Sequence, residues 1–240
     1  MLELKNICYK VHNNNEEKEV LKDISLQLSE GFTVITGPNG GGKSSLARII
    51  MGITQPDSGS ILLDGEDITS LSITDRAKKG ISFAFQQPVR FKGITVKDLI
   101  TQASGRQLTI SEACEYLSEV GLCAREYIDR EVNGSLSGGE LKRIEIAMVI
   151  ARGTRYCIFD EPEAGIDLWS FNNLISIFKR LIESDKKRTI LIISHQERIL
   201  DMADRIILVA DGQIQSVGKK DSMLRGILSS AECHKISCHN

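Results

Sequence analysis

Phe32-Thr33-Val34-Ile35-Thr36-Gly37-Pro38-Asn39-Gly40-Gly41-Gly42-Lys43-Ser44-Ser45-Leu46-Ala47-Arg48-Ile49-Ile50 is the stretch from which the rest of the chain can be read. Its first five residues predict a strand. Leu46, Ile49 and Ile50 fall on one helical face, which Gly52 ends. Between them Gly37-x-x-x-x-Gly42-Lys43-Ser44 has the spacing of a phosphate-binding loop, in the strand–loop–helix context that this pattern requires. Glycines let such a loop turn sharply and aim backbone N–H groups inward. The helix start adds its positive dipole end, lysine a mobile charge for the β- and γ-phosphates, and the Ser44 hydroxyl a ligand for Mg²⁺. An incidental Lys-Ser in a Gly-rich turn needs neither flanking element. The stretch predicts a nucleoside-triphosphate site at Gly37, Pro38, Asn39, Gly40, Gly41, Gly42, Lys43, Ser44 and Ser45, on an α/β fold with a parallel sheet.

Two further groups extend the site. Tyr156-Cys157-Ile158-Phe159 is apolar throughout, as in a buried parallel strand, and ends in two carboxylates. Asp160 is expected to hold the metal through water, and Glu161 to polarise the attacking water. Leu136-Ser137-Gly138-Gly139-Glu140 precedes an amphipathic run with Leu141, Ile144, Met148 and Ala151 at helical spacing. A serine hydroxyl and glycine amides at a helix start make a second anion site. Either each site has its own function, or each completes the other on a second copy of the chain.

In this order the motifs resemble those of the ATP-binding-cassette (ABC) ATPases, from about Leu2 to Leu228. The resemblance implies ATP and Mg²⁺ as ligands, with a P-loop, RecA-like parallel sheet joined by an antiparallel β subdomain and a helical subdomain. It implies a Q-loop at Gln86, which reaches the metal and the reacting phosphate, and a D-loop ending at Asp167 in Ala164-Gly165-Ile166-Asp167. It also implies a switch histidine, His195, after the apolar strand Thr189 to Ile193. Ser44, Gln86 and Asp160 then serve the metal, and Glu161, Gln86 and His195 the chemistry. Ser137, Gly138, Gly139 and Glu140 act on the nucleotide of a second copy, in a head-to-tail dimer. Many ABC ATPases stack adenine on an N-terminal aromatic residue. Val11 falls at that place here, with Tyr9 and His12 close by, and Tyr9 is either a stacking residue or a packed strand tyrosine.

The 240 residues suffice for one large domain with a substantial core. At 41% apolar and 26% charged, with a net charge of −2, the chain shows no global bias toward nucleic acid, and none is expected as a partner. Lys186-Lys187-Arg188 reads as a solvated turn. Without an 18-residue apolar run or a signal pattern, a cytoplasmic protein with reduced cysteines is expected. Cys8, Cys114 and Cys157 read as core or near-core residues.

The alternating Leu2-Glu3-Leu4 and Ile24 to Leu28, joined across Asn13 to Glu17, and the strand and turn from Gly59 to Gly65 predict the antiparallel β subdomain. Residues 1–228 are read as the ABC domain, with a helical subdomain at about 87–150. Val96 to Ser104 and Ser111 to Val120 are its helices, the second with Ala113, Tyr116, Leu117 and Val120 on one face. Phe171, Leu174, Phe178 and Leu181 mark a helix packed on the core. The tail, 229–240, places two thiols and two imidazoles in Cys233-His234-Lys235-Ile236-Ser237-Cys238-His239. That spacing can chelate a metal, but the segment is read as a dispensable tail.

Four details bear on the partner. The signature ends in Glu140 where the usual residue is Gln. Arg130-Glu131-Val132-Asn133 before it, Phe83 to Val89 around Gln86, and Gln196 to Asp201 after His195 are similar to SufC, the SUF-type iron–sulfur cluster assembly ATPase. That resemblance implies a SufB/SufD-like scaffold as partner. The alternative is the nucleotide-binding subunit of a transporter, with a membrane permease as partner. A DNA-repair ATPase is disfavoured, since no long coiled coil separates the phosphate loop from the acid pair.

Overall fold

The computed structural model describes residues 1–13, 16–220, 222 and 223. The side chains of His12, Asn13, Glu16, Leu168 and Trp169 lie outside that description, as does the tail read at 229–240, with its Cys233 to His239 cluster. In chain order the elements begin with β1 (Leu2–Asn13), β2 (Glu16–Leu28), β3 (Gly31–Thr36), α1 (Lys43–Met51), β4 (Ser58–Leu63), β5 (Glu66–Asp67), α2 (Ile73–Lys78) and β6 (Ile81–Ala84). Four helices follow: α3 (Val96–Ser104), α4 (Ile110–Glu119), α5 (Ala124–Tyr127) and α6 (Gly138–Arg152). Then come β7 (Tyr156–Asp160), α7 (Leu168–Ser184), β8 (Thr189–Ile193), α8 (Glu197–Leu200), β9 (Arg205–Ala210) and β10 (Gln213–Lys219).

Two sheets organise these elements. The larger has the order β10-β9-β3-β8-β7-β6, parallel except for the β9–β10 hairpin. The smaller is antiparallel, β2-β1-β4-β5. Strands β7 and β8 are buried at every position, as strands covered on both faces must be. Their residues divide by the two-residue period of a strand. Cys157, Phe159, Ile190 and Ile192 join Phe32, Val34 and the side chains of α3, α4, α6 and α7 in one core. Ile158, Leu191 and Ile193 join Ile35, α1 and the antiparallel sheet in a second. All parallel strands therefore end at one edge, where the phosphate loop follows β3 and the acid pair follows β7.

Helices begin where side chains can satisfy the free N–H groups of the first turn. Thr95 with Asp98, Thr109 with Glu112, and Ser137 with Glu140 form reciprocal capping boxes for α3, α4 and α6. The α1 C-terminus is finished differently. Gly52 takes φ 82°, and the buried Arg76 guanidinium of α2 donates to the carbonyls of Ile49, Ile50, Leu71 and Thr69. Phe171, Leu174, Phe178 and Leu181 are all buried, as their spacing predicts. Lys186 and Lys187 are exposed in a turn, while Arg188 folds back onto the carbonyls of Thr154 and Leu181.

Candidate nucleotide site

The loop between β3 and α1 takes positive φ at Gly37, Gly40 and Gly42. A Cβ on Gly37 would stand 2.0 Å from the Val209 carbonyl oxygen, so close approach of β9 requires glycine there. Gly42 opens α1, leaving its first-turn N–H groups free for an anion. Lys43 is buried, and its Nζ donates to the carbonyl oxygens of Gly37 and Pro38, each at 2.8 Å. Burial lowers its pKa from the usual lysine value, opposed by the charges of Glu161 and Asp160.

Asp160 ends β7 beside this loop, and its Oδ1 accepts from the Ser44 hydroxyl at 3.0 Å. Burial raises the Asp160 carboxyl and the serine hydrogen bond opposes this, while the neighbouring Glu161 adds to it. Hydroxyl and carboxylate oxygens side by side suit Mg²⁺, which binds hard oxygen ligands. Glu161 follows at φ 45°, a left-handed conformation uncommon outside glycine, held by its N–H bond to the Ile193 carbonyl. Its Oε2 accepts from Gln86 Nε2 at 2.6 Å, and its Oε1 lies 3.9 Å from His195 Nε2. Burial lowers the His195 pKa, helped by the Lys43 charge and opposed by Glu161, which leaves a neutral imidazole at neutral pH.

Beside these residues lies a cleft of about 590 Å³. Asn39, Gly40, Gly42, Lys43, Ser44, Ser45, Gln86 and Glu161 line its phosphate end, and Asp211 and Gly212 of the β9–β10 turn close it. The structure thus brings together the phosphate loop, the acid pair, Gln86 and His195. Ser137, Gly138, Gly139, Glu140 and Asp167 are not among the lining residues. Within its own chain Ser137 caps α6. Glu140 accepts from the Ser137 N–H at 2.6 Å and is bonded to the Tyr127 hydroxyl, which is local work for the carboxylate that departs from the usual Gln. Asp167 accepts from the Ser170 N–H and hydroxyl, fixing the first turn of α7. Tyr9 is half-buried and packs against the second core, while Val11 lines the cleft.

Sequence reading missed three charged residues around the site. Lys142, buried on α6, donates to the carbonyls of Phe85 (2.6 Å) and Glu161 (3.3 Å). Glu145, one turn on, accepts from the Phe85 N–H at 2.8 Å, so α6 holds both peptide groups of the residue before Gln86. Glu163 is held by the Ser194 hydroxyl, next to His195. The available signal was a Lys and a Glu three apart inside an otherwise apolar helical face.

A parallel sheet with a glycine loop, lysine and acid pair at its strand ends defines a P-loop nucleotide-binding protein. More narrowly, the chain belongs to the ABC transporter family of ATP-binding cassettes, whose family model, described as "ABC transporter", matches residues 21–164. It is 37% identical over 234 residues to an uncharacterised ABC transporter ATP-binding protein of Methanocaldococcus jannaschii, covering 94% of this chain and 92% of that one. It is 31% identical over 224 residues to the lipopolysaccharide export system ATP-binding protein of Haemophilus influenzae, covering 87% of this chain and 88% of that one. Among solved structures it is similar to a dimeric ATP-binding cassette in a post-hydrolysis state bound to ADP and phosphate. There the TM-score is 0.82 and the identity 25%, over 92% of this chain and 99% of that chain.

Proposed function

We propose that this chain is a Mg²⁺-dependent ATPase subunit that hydrolyses ATP in a head-to-tail dimer and drives a separate partner protein. The observation that carries this reading is the cleft where Lys43, Ser44, Gln86, Asp160 and Glu161 converge at the strand ends. Gly37 to Ser45 hold the β- and γ-phosphates, and Lys43 leaves the loop carbonyls to meet them. Ser44 and the Gln86 amide oxygen, and Asp160 through water, would hold Mg²⁺, which would supply neutralisation of charge on the phosphate oxygens. Glu161 orients and polarises the attacking water, and a neutral His195 donates toward the γ-phosphate. Ser137, Gly138, Gly139 and Glu140 close on the nucleotide of the second copy, with Asp167 at the contact between copies.

The partner is a membrane permease, with the cassette on its cytoplasmic side. Relatives named as transporter ATPases support this. So does an apolar groove of about 400 Å³ beside the Q-loop, lined by Phe85, Pro88, Val89, Phe91, Leu99 and Met148, which suits a short helix of a partner. Among the described residues no helix of this chain is long and apolar enough to cross a membrane itself.

A second reading has one observation in its favour. The segment similar to SufC, Arg130 to Asn133, forms part of this groove's wall: Val132 lines it and exchanges backbone hydrogen bonds with Phe91 and Ile94. A SufB/SufD-like scaffold is the partner under that reading. Tagged protein expressed in its own host separates the two. Mg²⁺-dependent ATP hydrolysis, lost in Lys43→Ala, and co-purification with an integral membrane protein from detergent extracts are expected. A soluble scaffold in the detergent-free fraction instead would establish the second reading, and absence of hydrolysis by the assembled complex would overturn both.

A further inference from the structure

Glu163 is a carboxylate that the chemistry above leaves unused. It stands two residues beyond Glu161, where the chain leaves β7, and is half-buried. Its Oε1 accepts from the Ser194 hydroxyl, while its Oε2 is fully buried without a hydrogen-bond partner. Burial raises its pKa above the usual glutamate value, opposed chiefly by the Ser194 hydroxyl. A buried carboxylate oxygen left unpaired costs stability, so the reason for this residue is sought in the geometry it fixes.

That geometry is the backbone under His195. Ser194 is fully buried, and its N–H is bonded to the Ile35 carbonyl at 3.1 Å. Its hydroxyl gives its proton to Glu163 and accepts from the Gln196 N–H at 3.0 Å. One hydroxyl thus spans the residues on both sides of His195, and Glu163 sets its direction. Glu163 is itself held in place, because its carbonyl accepts from the Ile166 N–H at 3.2 Å and the next residue, Ala164, bonds back to the Glu161 carbonyl at 3.0 Å. The His195 side chain is exposed, with Nε2 3.9 Å from Glu161 Oε1. An exposed imidazole has little packing to place it, so its position depends on the backbone that carries it. Small displacements of a group that acts on the transition state are costly in rate.

We propose that Glu163 is a positioning residue for His195, acting through the Ser194 hydroxyl. This rests on the role given to His195 above and adds the residue that aims it. ATP turnover by the assembled complex, read as release of labelled phosphate, and calorimetric binding of ADP test it together.

Glu163→Ala should lower kcat about tenfold, with the KM for ATP and the ADP affinity within about twofold of wild type. Glu163→Gln keeps an oxygen acceptor for Ser194 and should recover to within about threefold of wild type. In a His195→Ala background, Glu163→Ala should cost less than about twofold more, because the group that it positions is gone. A Glu163→Ala variant that turns over at the wild-type rate would overturn the proposal. So would a Glu163→Gln variant as slow as Glu163→Ala, or the same tenfold loss in the His195→Ala background. Wild-type turnover in His195→Ala would instead bring down the role given to His195, and this proposal with it.

Discussion

Glu161 occupies a left-handed backbone position, costing roughly 1–3 kcal/mol where a glycine would cost little. Its carboxylate accepts from Gln86 and lies beside His195, contacts that a glycine could not make. Glu161→Gln preserves volume and removes the charge. Hydrolysis is expected to slow by a factor on the order of 10²–10⁴ while ATP affinity holds, as for loss of a base or water-orienting group. Phosphate release and equilibrium binding check this, and wild-type turnover in the variant would refute the role. Arg76 is the structural counterpart, a fully buried guanidinium bonded to four carbonyls. Arg76→Met removes these donors and leaves Ile49 only the Gly52 N–H, and a loss of roughly 3 kcal/mol in urea unfolding is expected, against near zero for an exposed lysine such as Lys78. The phosphate loop and acid pair were legible because their spacing is set by phosphate geometry within one or two local segments. Arg76, Lys142 and Glu145 were not, since a buried charge is defined by partners distant in sequence, such as Ile49 for Arg76 and Phe85 for the other two.

Among the elements, α6 links the signature residues at its start to the peptide before Gln86 through Lys142 and Glu145. The Glu145 carboxyl is pushed up to about 7, chiefly by burial, with the Phe85 N–H and the Lys142 ammonium opposing, and Arg152 lines the same groove. In the unfolded chain it ionises near 4.5. Between these values the folded chain binds more protons than the unfolded one, so this group's contribution to stability falls as pH rises from about 4.5 to about 7. Glu145→Gln still accepts from Phe85 but no longer titrates. It should be about 3 kcal/mol more stable relative to wild type at pH 8 than at pH 4.5. Urea midpoints at the two pH values test this, and an equal difference at both would refute it. The helices most legible in sequence, α3 and α4, carry both an apolar face and a Thr-x-x-acid start. The short α2 does not reveal itself, because six residues with one buried side chain define no period.

For the whole molecule, the question is where the second anion site finds its nucleotide. Ser137 and the α6 N-terminus do not line the cleft of their own chain, and a cassette of similar fold is dimeric in its post-hydrolysis state. If each copy completes the other, specific activity should rise with protein concentration as dimers form. A more incisive test separates the two halves of one composite site. Ser137→Asp retains an N-cap for α6, so stability should change by less than about 1 kcal/mol. It places a negative charge against the partner copy's γ-phosphate, and hydrolysis should be lost while nucleotide binding remains. Lys43→Ala has the opposite defect, since its signature residues are intact but its phosphate loop holds no nucleotide. Neither variant alone has a competent site. A mixed dimer has one, formed by the phosphate loop of the Ser137→Asp copy and the signature of the Lys43→Ala copy. With random pairing about half of the dimers are mixed, each with one working site of two, so an equimolar mixture should recover up to about one quarter of wild-type activity. A mixture as inactive as its components, with mixed dimers demonstrated by differential tags, would show that both anion sites serve the chain that carries them.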